Sequence, residues 1–160
     1  MHMKNKNDLN LINTTLMQDA WPYQASFYQE LIDSQDILHE VSIVLVDPVE
    51  IKMINERYRQ KNSVTDVLSF PFEDHDGGDI ILCPKVIASY AYARKIPYPI
   101  RFLHLIIHSM AHLQGYDHDE ESAAQSMFEH ELQLWIWAQK NLSLKWDLKP
   151  DNTYTYNAKR

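Results

Sequence analysis

The chain of 160 residues has one cysteine, Cys83, so no internal disulfide can form, which suits a reducing cytosol. It also lacks any stretch approaching the roughly 18 consecutive apolar residues that a membrane helix needs. Lys4 and Lys6 near the N-terminus have no apolar run behind them, so a secretory signal is not expected. Positive charge is scarce. Fifteen Lys and Arg stand against 22 Asp and Glu, for a net charge of −7 and a pI near 5.5. That balance argues against non-specific nucleic-acid binding, which relies on many cationic contacts. There is no repeat, low-complexity segment or internal linker. The length and the 45% hydrophobic content fit one domain with its own core.

What the chain does have is a histidine constellation. His108 and His112 are four apart, and His118 follows six residues on, after Gly115. On a helix, residues i and i+4 share a face about 5–6 Å apart. That is the span one zinc ion bridges with Zn–N bonds of roughly 2.0–2.1 Å. Gly115 can take the left-handed conformation that ends a helix, so the chain can turn back and deliver His118 to the same ion. Structural zinc sites generally take four protein ligands, often cysteines, whereas catalytic sites keep three and leave a position open. Three histidines and a distant Cys83 therefore favour an open ion, with His104, Asp117 and Cys83 as the residues able to fill a fourth place. A lone histidine on an apolar helix is more often a core residue, the reading given to His104 and His130. Zinc peptidases share the spacing but place a glutamate after the first histidine as general base. Ser109 stands there instead, so the peptidase base is missing.

Three further segments join this motif. Asn55-Glu56-Arg57-Tyr58-Arg59, Thr65-Asp66-Val67-Leu68-Ser69-Phe70-Pro71 and Gly78-Asp79-Ile80 precede it in that order. Together they resemble the YbeY family of bacterial endoribonucleases, or rRNA maturation factors, whose metal segment reads H-G-x-L-H-L-x-G-Y-D-H. The resemblance spans roughly residues 40 to 120. The departures are Ser109, Ala111 and Gln114, none of which removes a candidate ligand, although Ser109 would set a hydroxyl beside the ion.

The resemblance implies a metal-dependent endoribonuclease specific for single strands, acting in maturation of the 16S rRNA 3′ end and in ribosome quality control in the cytoplasm. Its partners would be ribosomal RNA and ribosomal particles, with ribosomal proteins or a GTPase beside them, and neither DNA nor a membrane. His108, His112 and His118 would hold one zinc ion per chain, although imidazoles suit nickel, copper or iron as well. Phosphodiester cleavage also needs a group to stabilise charge on the phosphoryl oxygens. Arg59 is the candidate, because a guanidinium bonds phosphate bidentately and stays charged. Arg57, Arg59 and Lys61 could equally be a solvated helix end, where cations favour the dipole; the resemblance favours function for Arg59. The candidate catalytic residues are thus Arg59 and His108, with Arg59 also binding substrate. Two rivals stay open: a non-catalytic ribosome-assembly factor stabilised by zinc, and a hydrolase of a small phosphate or amide.

The expected fold is α+β, a small mixed sheet of about four strands packed with about five helices, with the metal-bearing helix central. Strands are predicted at Asp8–Thr14, Val41–Val46 (buried on both faces), Asp66–Phe72 and Asp79–Cys83, the last two joined by a solvated acidic turn, Glu73–Gly78. Helices are expected after Trp21-Pro22, from Asp47-Pro48 to near Lys61-Asn62 with Ile51, Ile54 and Tyr58 inward, after Pro84, after Pro99, and from Asp119-Glu120. The last should bury Ala124, Phe128, Leu132 and Trp135. Residues 1–142 are read as a single metallohydrolase domain like that of the YbeY family, and 143–160 as a polar, disordered tail.

Overall fold

In the computed structural model, which describes residues 7–160, four strands form one mixed sheet. These are β1 (Asp8–Asn13), β2 (Glu40–Leu45), β3 (Val67–Pro71) and β4 (Gly77–Leu82), in the spatial order β1-β2-β4-β3. β1 pairs parallel to β2 and β2 parallel to β4, while β3 folds back antiparallel on β4. Five helices accompany them: α1 (Ala25–Asp33), α2 (Pro48–Arg59), α3 (Pro84–Arg94), α4 (Tyr98–Leu113) and α5 (Glu121–Leu142). The expected α+β architecture is the one observed. The N-terminal segment bearing Lys4 and Lys6 lies outside the described residues.

Strand periodicity assigns the two faces of the sheet. Val41, Ile43 and Leu45 of β2, with Ile80 and Leu82 of β4, point into the main core against Leu103, Ile106, Ile107 and Met110 of α4. Val44 and Ile81, one residue out of phase, face α2, where Ile51, Val46, Leu68 and Cys83 form a smaller second core. Both faces of β2 are therefore covered, and α4 is the central helix, with 11 buried residues out of 16. Cys83 is fully buried at the start of α3, in this second core. Gly78 lets the β3–β4 hairpin lie flat on α4. Its φ is +149°, and a Cβ there would stand 2.2 Å from the Phe70 carbonyl oxygen and 2.8 Å from Leu113.

Three sequence expectations change. Tyr58 does not point inward; it is 58% exposed, and the buried partner of Ile51 on α2 is Asn55, whose amide donates to the Ser63 carbonyl oxygen at 3.0 Å. On α5 the buried line runs through Met127, Glu131, Leu134, Trp135 and Ala138, about one residue round from the expected stripe. The third change is at the C-terminus. Residues 143–160 hold β5 (Trp146–Leu148) and β6 (Tyr154–Tyr156), paired antiparallel as a hairpin, rather than a disordered tail. Its anchor is the Trp146 carbonyl oxygen, which accepts from Trp135 Nε1 at 2.9 Å and from Gln139 Nε2 at 2.8 Å. Three-residue strands are too short to show an alternation, and the aromatic residues that dock them are spread among polar ones.

Among the described residues, no helix is long and apolar enough to cross a membrane. Ser109 is fully buried, and its hydroxyl has no hydrogen-bond partner. A buried hydroxyl left unpaired costs about 1–3 kcal/mol. Replacing Ser109 by Ala should therefore raise the melting temperature in thermal unfolding; a lower value would mean that the hydroxyl is satisfied after all.

Candidate metal centre

The last turn of α4 shows how the chain brings three imidazoles together. Gln114 ends the helix and Gly115 follows with φ +95°. The Gly115 N–H donates to the His112 carbonyl oxygen and the Tyr116 N–H to that of Ala111, both at 3.0 Å. These are the paired 5→2 and 6→1 bonds of a Schellman motif, which needs a left-handed residue at the glycine position. The turn reverses the chain and sets His118 opposite α4. His108, His112 and His118 each then offer one ligand atom, all within 4.8 Å of one another. His108 Nε2 and His112 Nε2 are 3.1 Å apart, a spacing compatible with two bonds to a common cation. Among the described residues, this is the only such group of three or more potential ligands.

The opposite ring nitrogens are committed to the protein. His112 Nδ1–H donates to the Tyr116 carbonyl oxygen at 3.1 Å, so the turn that delivers His118 also orients His112. His108 Nδ1–H donates to Glu131 Oε1 at 2.8 Å. Fixing Nδ1 as the donor leaves each Nε2 lone pair free, the form a metal requires. Burial, with the neighbouring His108, shifts His112 down and favours its neutral state. Burial alone would raise the Glu131 carboxyl, but the His104 and His108 imidazoles that face it hold it at about 2. A buried anion behind a ligating imidazole is the usual outer support of such an ion. The donor set therefore fits a divalent metal with three protein nitrogens.

None of the three residues considered for a fourth place joins the group. Cys83 lies in the second core. His104 is 2% exposed and holds Tyr154 Oη at Nδ1, as a core histidine would. Asp117 borders the cleft, but one of its oxygens accepts the Asp119 N–H at 3.3 Å. His130, likewise read as structural, meets Gln114 Oε1 at 2.7 Å and stacks on Tyr116. Ser109 turns into the core and is not part of the cleft lining, which corrects the expectation of a hydroxyl beside the ion.

His108 and His112 open into a cleft of about 380 Å³ whose other walls include Arg59, Ser69, His75 and Asp117. Arg59 reaches it from the C-terminal end of α2. Its Nη2 donates to the Ser69 carbonyl oxygen at 2.6 Å, and its guanidinium lies over the Phe70 ring, 5.4 Å from the centroid. This anchoring is possible because β3 is an edge strand. The Asp66 carbonyl oxygen and the Phe72 N–H bond across to the β4 side, so Val67 and Ser69 turn their backbone groups to the free edge. Two residues were missed in the sequence. His75 sits in the acidic turn read as merely solvated, at φ +56°, close to Gly115. Glu131 was hidden on a helix whose buried face was misplaced by one residue; an acidic residue in line with Met127, Leu134 and Ala138 was the available signal.

A family model described as Endoribonuclease YbeY matches residues 3–136. The chain belongs to the YbeY family. An Endoribonuclease YbeY of Methylobacillus flagellatus is 35% identical over 111 residues, covering 68% of this chain and 74% of that protein. One of Methylococcus capsulatus is 39% identical over 101 residues, 59% of this chain and 67% of the relative. Among solved structures, the solution structure of a Thermotoga maritima protein aligns with a TM-score of 0.57 over 84% of this chain and 94% of that one. At 23% identity that likeness supports the fold alone. The YbeY-family match contains all three histidines and Glu131, whereas the β5–β6 hairpin lies beyond it.

Replacing Glu131 by Gln keeps the side-chain shape but removes the charge behind His108. Zinc affinity, read by competition with a chromophoric chelator, should fall by about 10–100-fold. An affinity equal to that of the wild type would deny Glu131 this role.

Proposed function

We propose that this protein is a zinc-dependent endoribonuclease that cleaves single-stranded ribosomal RNA, acting in the cytoplasm on ribosomal particles in maturation of the 16S rRNA 3′ end and in ribosome quality control. The observation that carries the reading is one cleft lined by the anchored Arg59 guanidinium and by His108 and His112, whose imidazoles converge with that of His118. Membership of the YbeY family, and the printed activity of its relatives, supply the substrate class. The bound ion would supply a water activated at neutral pH and a Lewis acid for a phosphoryl oxygen.

The chain's own residues would do the rest. His108, His112 and His118 hold the cation, which makes His108 part of the catalytic centre. Arg59 uses one of its five donors on Ser69, which fixes the plane of the guanidinium, and its remaining N–H groups bond the non-bridging oxygens of the scissile phosphate as their charge grows. Proton delivery to the leaving oxygen needs an acid that borders the cleft. His104 does not line the cleft, so that work falls to Asp117 or to a ring nitrogen of His75, both of which do.

The net charge of −7 fits this function when its distribution is considered. Arg57, Arg59 and Lys61 gather where α2 ends beside the cleft, while acidic residues occupy the Glu73–Asp76 turn and the Asp119–Glu121 segment. Such a protein binds bare RNA weakly and gains its hold on a larger particle, with ribosomal proteins or a GTPase as further partners.

Replacing Arg59 by Glu should lower cleavage of a single-stranded ribosomal RNA fragment on the order of 100-fold or more, with zinc content unchanged. Undiminished cleavage would remove Arg59 from the reaction. Cleavage that also survives His112→Ala in highly purified protein would sink the nuclease reading and favour the zinc-stabilised assembly factor.

A further inference from the structure

Behind the metal centre, a run of polar side chains crosses an otherwise apolar interior. Asp66 Oδ2, just before β3, accepts from Arg101 Nη2 of α4 at 2.9 Å. Arg101 Nη1 donates to Tyr154 Oη of the C-terminal hairpin at 3.0 Å. Tyr154 Oη lies 2.5 Å from His104 Nδ1. His104 Nε2 faces Glu131 Oε1 at 3.6 Å, and the same oxygen takes the His108 Nδ1–H. Burying so many polar groups is costly unless they are paired, which calls for a reason beyond packing.

The hydrogens along this run can be assigned from the chemistry of its ends. A guanidinium has no acceptor, so Arg101 must donate to the Tyr154 oxygen. The phenolic hydrogen then points to His104 Nδ1, which accepts it. A neutral imidazole that accepts at Nδ1 carries its own hydrogen on Nε2. His104 Nε2 is buried with no hydrogen-bond partner, and it is aimed at Glu131. From Arg101 Nη1 onward the donors are thus directed toward Glu131, which accepts the His108 N–H and is faced by the His104 N–H one turn earlier on α4. His108 is left with its lone pair on Nε2, toward His112.

We propose that Tyr154 and His104 are positioning residues for the metal centre: the C-terminal hairpin sets the His104 tautomer, which holds the Glu131 carboxylate on His108 and so orients that ligand. The hairpin lies beyond the residues matched by the YbeY-family model, so this support is built from a segment outside the matched region. The proposal rests on the metal reading of the three histidines but not on the nuclease reading.

The test is Tyr154→Phe, which keeps the ring against His104 and Trp135 and removes only the hydroxyl. In zinc-loaded protein with ¹⁵N-labelled histidine, long-range ¹H–¹⁵N spectra should show His104 as the Nε2–H tautomer in the wild type and a mixture of tautomers in the variant. The zinc dissociation constant, by chelator competition, should rise up to about tenfold, the lower end of what outer partners of ligating histidines contribute. Thr155→Ala, an exposed change in the same strand, should leave both readouts at their wild-type values. Zinc affinity unchanged in Tyr154→Phe overturns the proposal, whatever happens to stability. Should that variant fail to fold, Asp66→Asn loosens Arg101 from the far end and should weaken zinc in the same direction; no change there overturns the proposal equally. A wild-type protein that binds no zinc would overturn the metal reading beneath it.

Discussion

One partly buried hydrogen bond, from His108 Nδ1 to Glu131 Oε1, ties together the parts of this molecule that matter most. It joins the central helix to the last one, sets which nitrogen of His108 is free, and places a negative charge behind a site built to receive a cation. A carboxylate so deeply buried would be intolerable alone. It persists because two imidazoles of α4, His104 and His108, face it, and His104 is held in turn by Tyr154 of the C-terminal hairpin. The coupling runs both ways: the orientation of His108 depends on the packing of α5, and α5 keeps a charged residue in its buried line because imidazoles of α4 face it.

The sheet contributes by having an edge. β3 is the last strand of the sheet, so its outward backbone groups are open to the cleft, and α2 ends where Arg59 can reach the Ser69 carbonyl oxygen. A guanidinium bonded to backbone on one side and resting on Phe70 beneath is restricted in orientation before any phosphate arrives. Arg59 and the histidines border the same cleft, an arrangement suited to pairing a metal and a guanidinium on a phosphodiester.

What could be read from the residues alone follows from how local each signal is. The i, i+4 histidines, the glycine stop and the third histidine lie within eleven residues, and their geometry is dictated by helix and turn rules, so the cluster was legible. The strands and the four-stranded mixed sheet followed from short β-branched runs and from Pro48 and Pro84 opening helices. Glu131 was not legible, because its meaning depends on α5 packing against α4, and the helix carries enough apolar residues to suggest a stripe one position away. The hairpin escaped because a three-residue strand has no period to detect; its stability comes from Trp135, Gln139, Arg101 and His104 far back in the chain. His75 looked like part of a solvated turn because only the folded hairpin carries that turn to the mouth of the cleft.

The central claim is that three imidazoles hold one cation and leave a coordination position open. X-ray absorption at the zinc edge of protein loaded with one equivalent of zinc tests it most directly. The account predicts three nitrogen scatterers with imidazole character at roughly 2.0–2.1 Å and an oxygen in the remaining position. A sulfur in the shell, a fourth protein ligand closing it, or fewer than three imidazoles would contradict it.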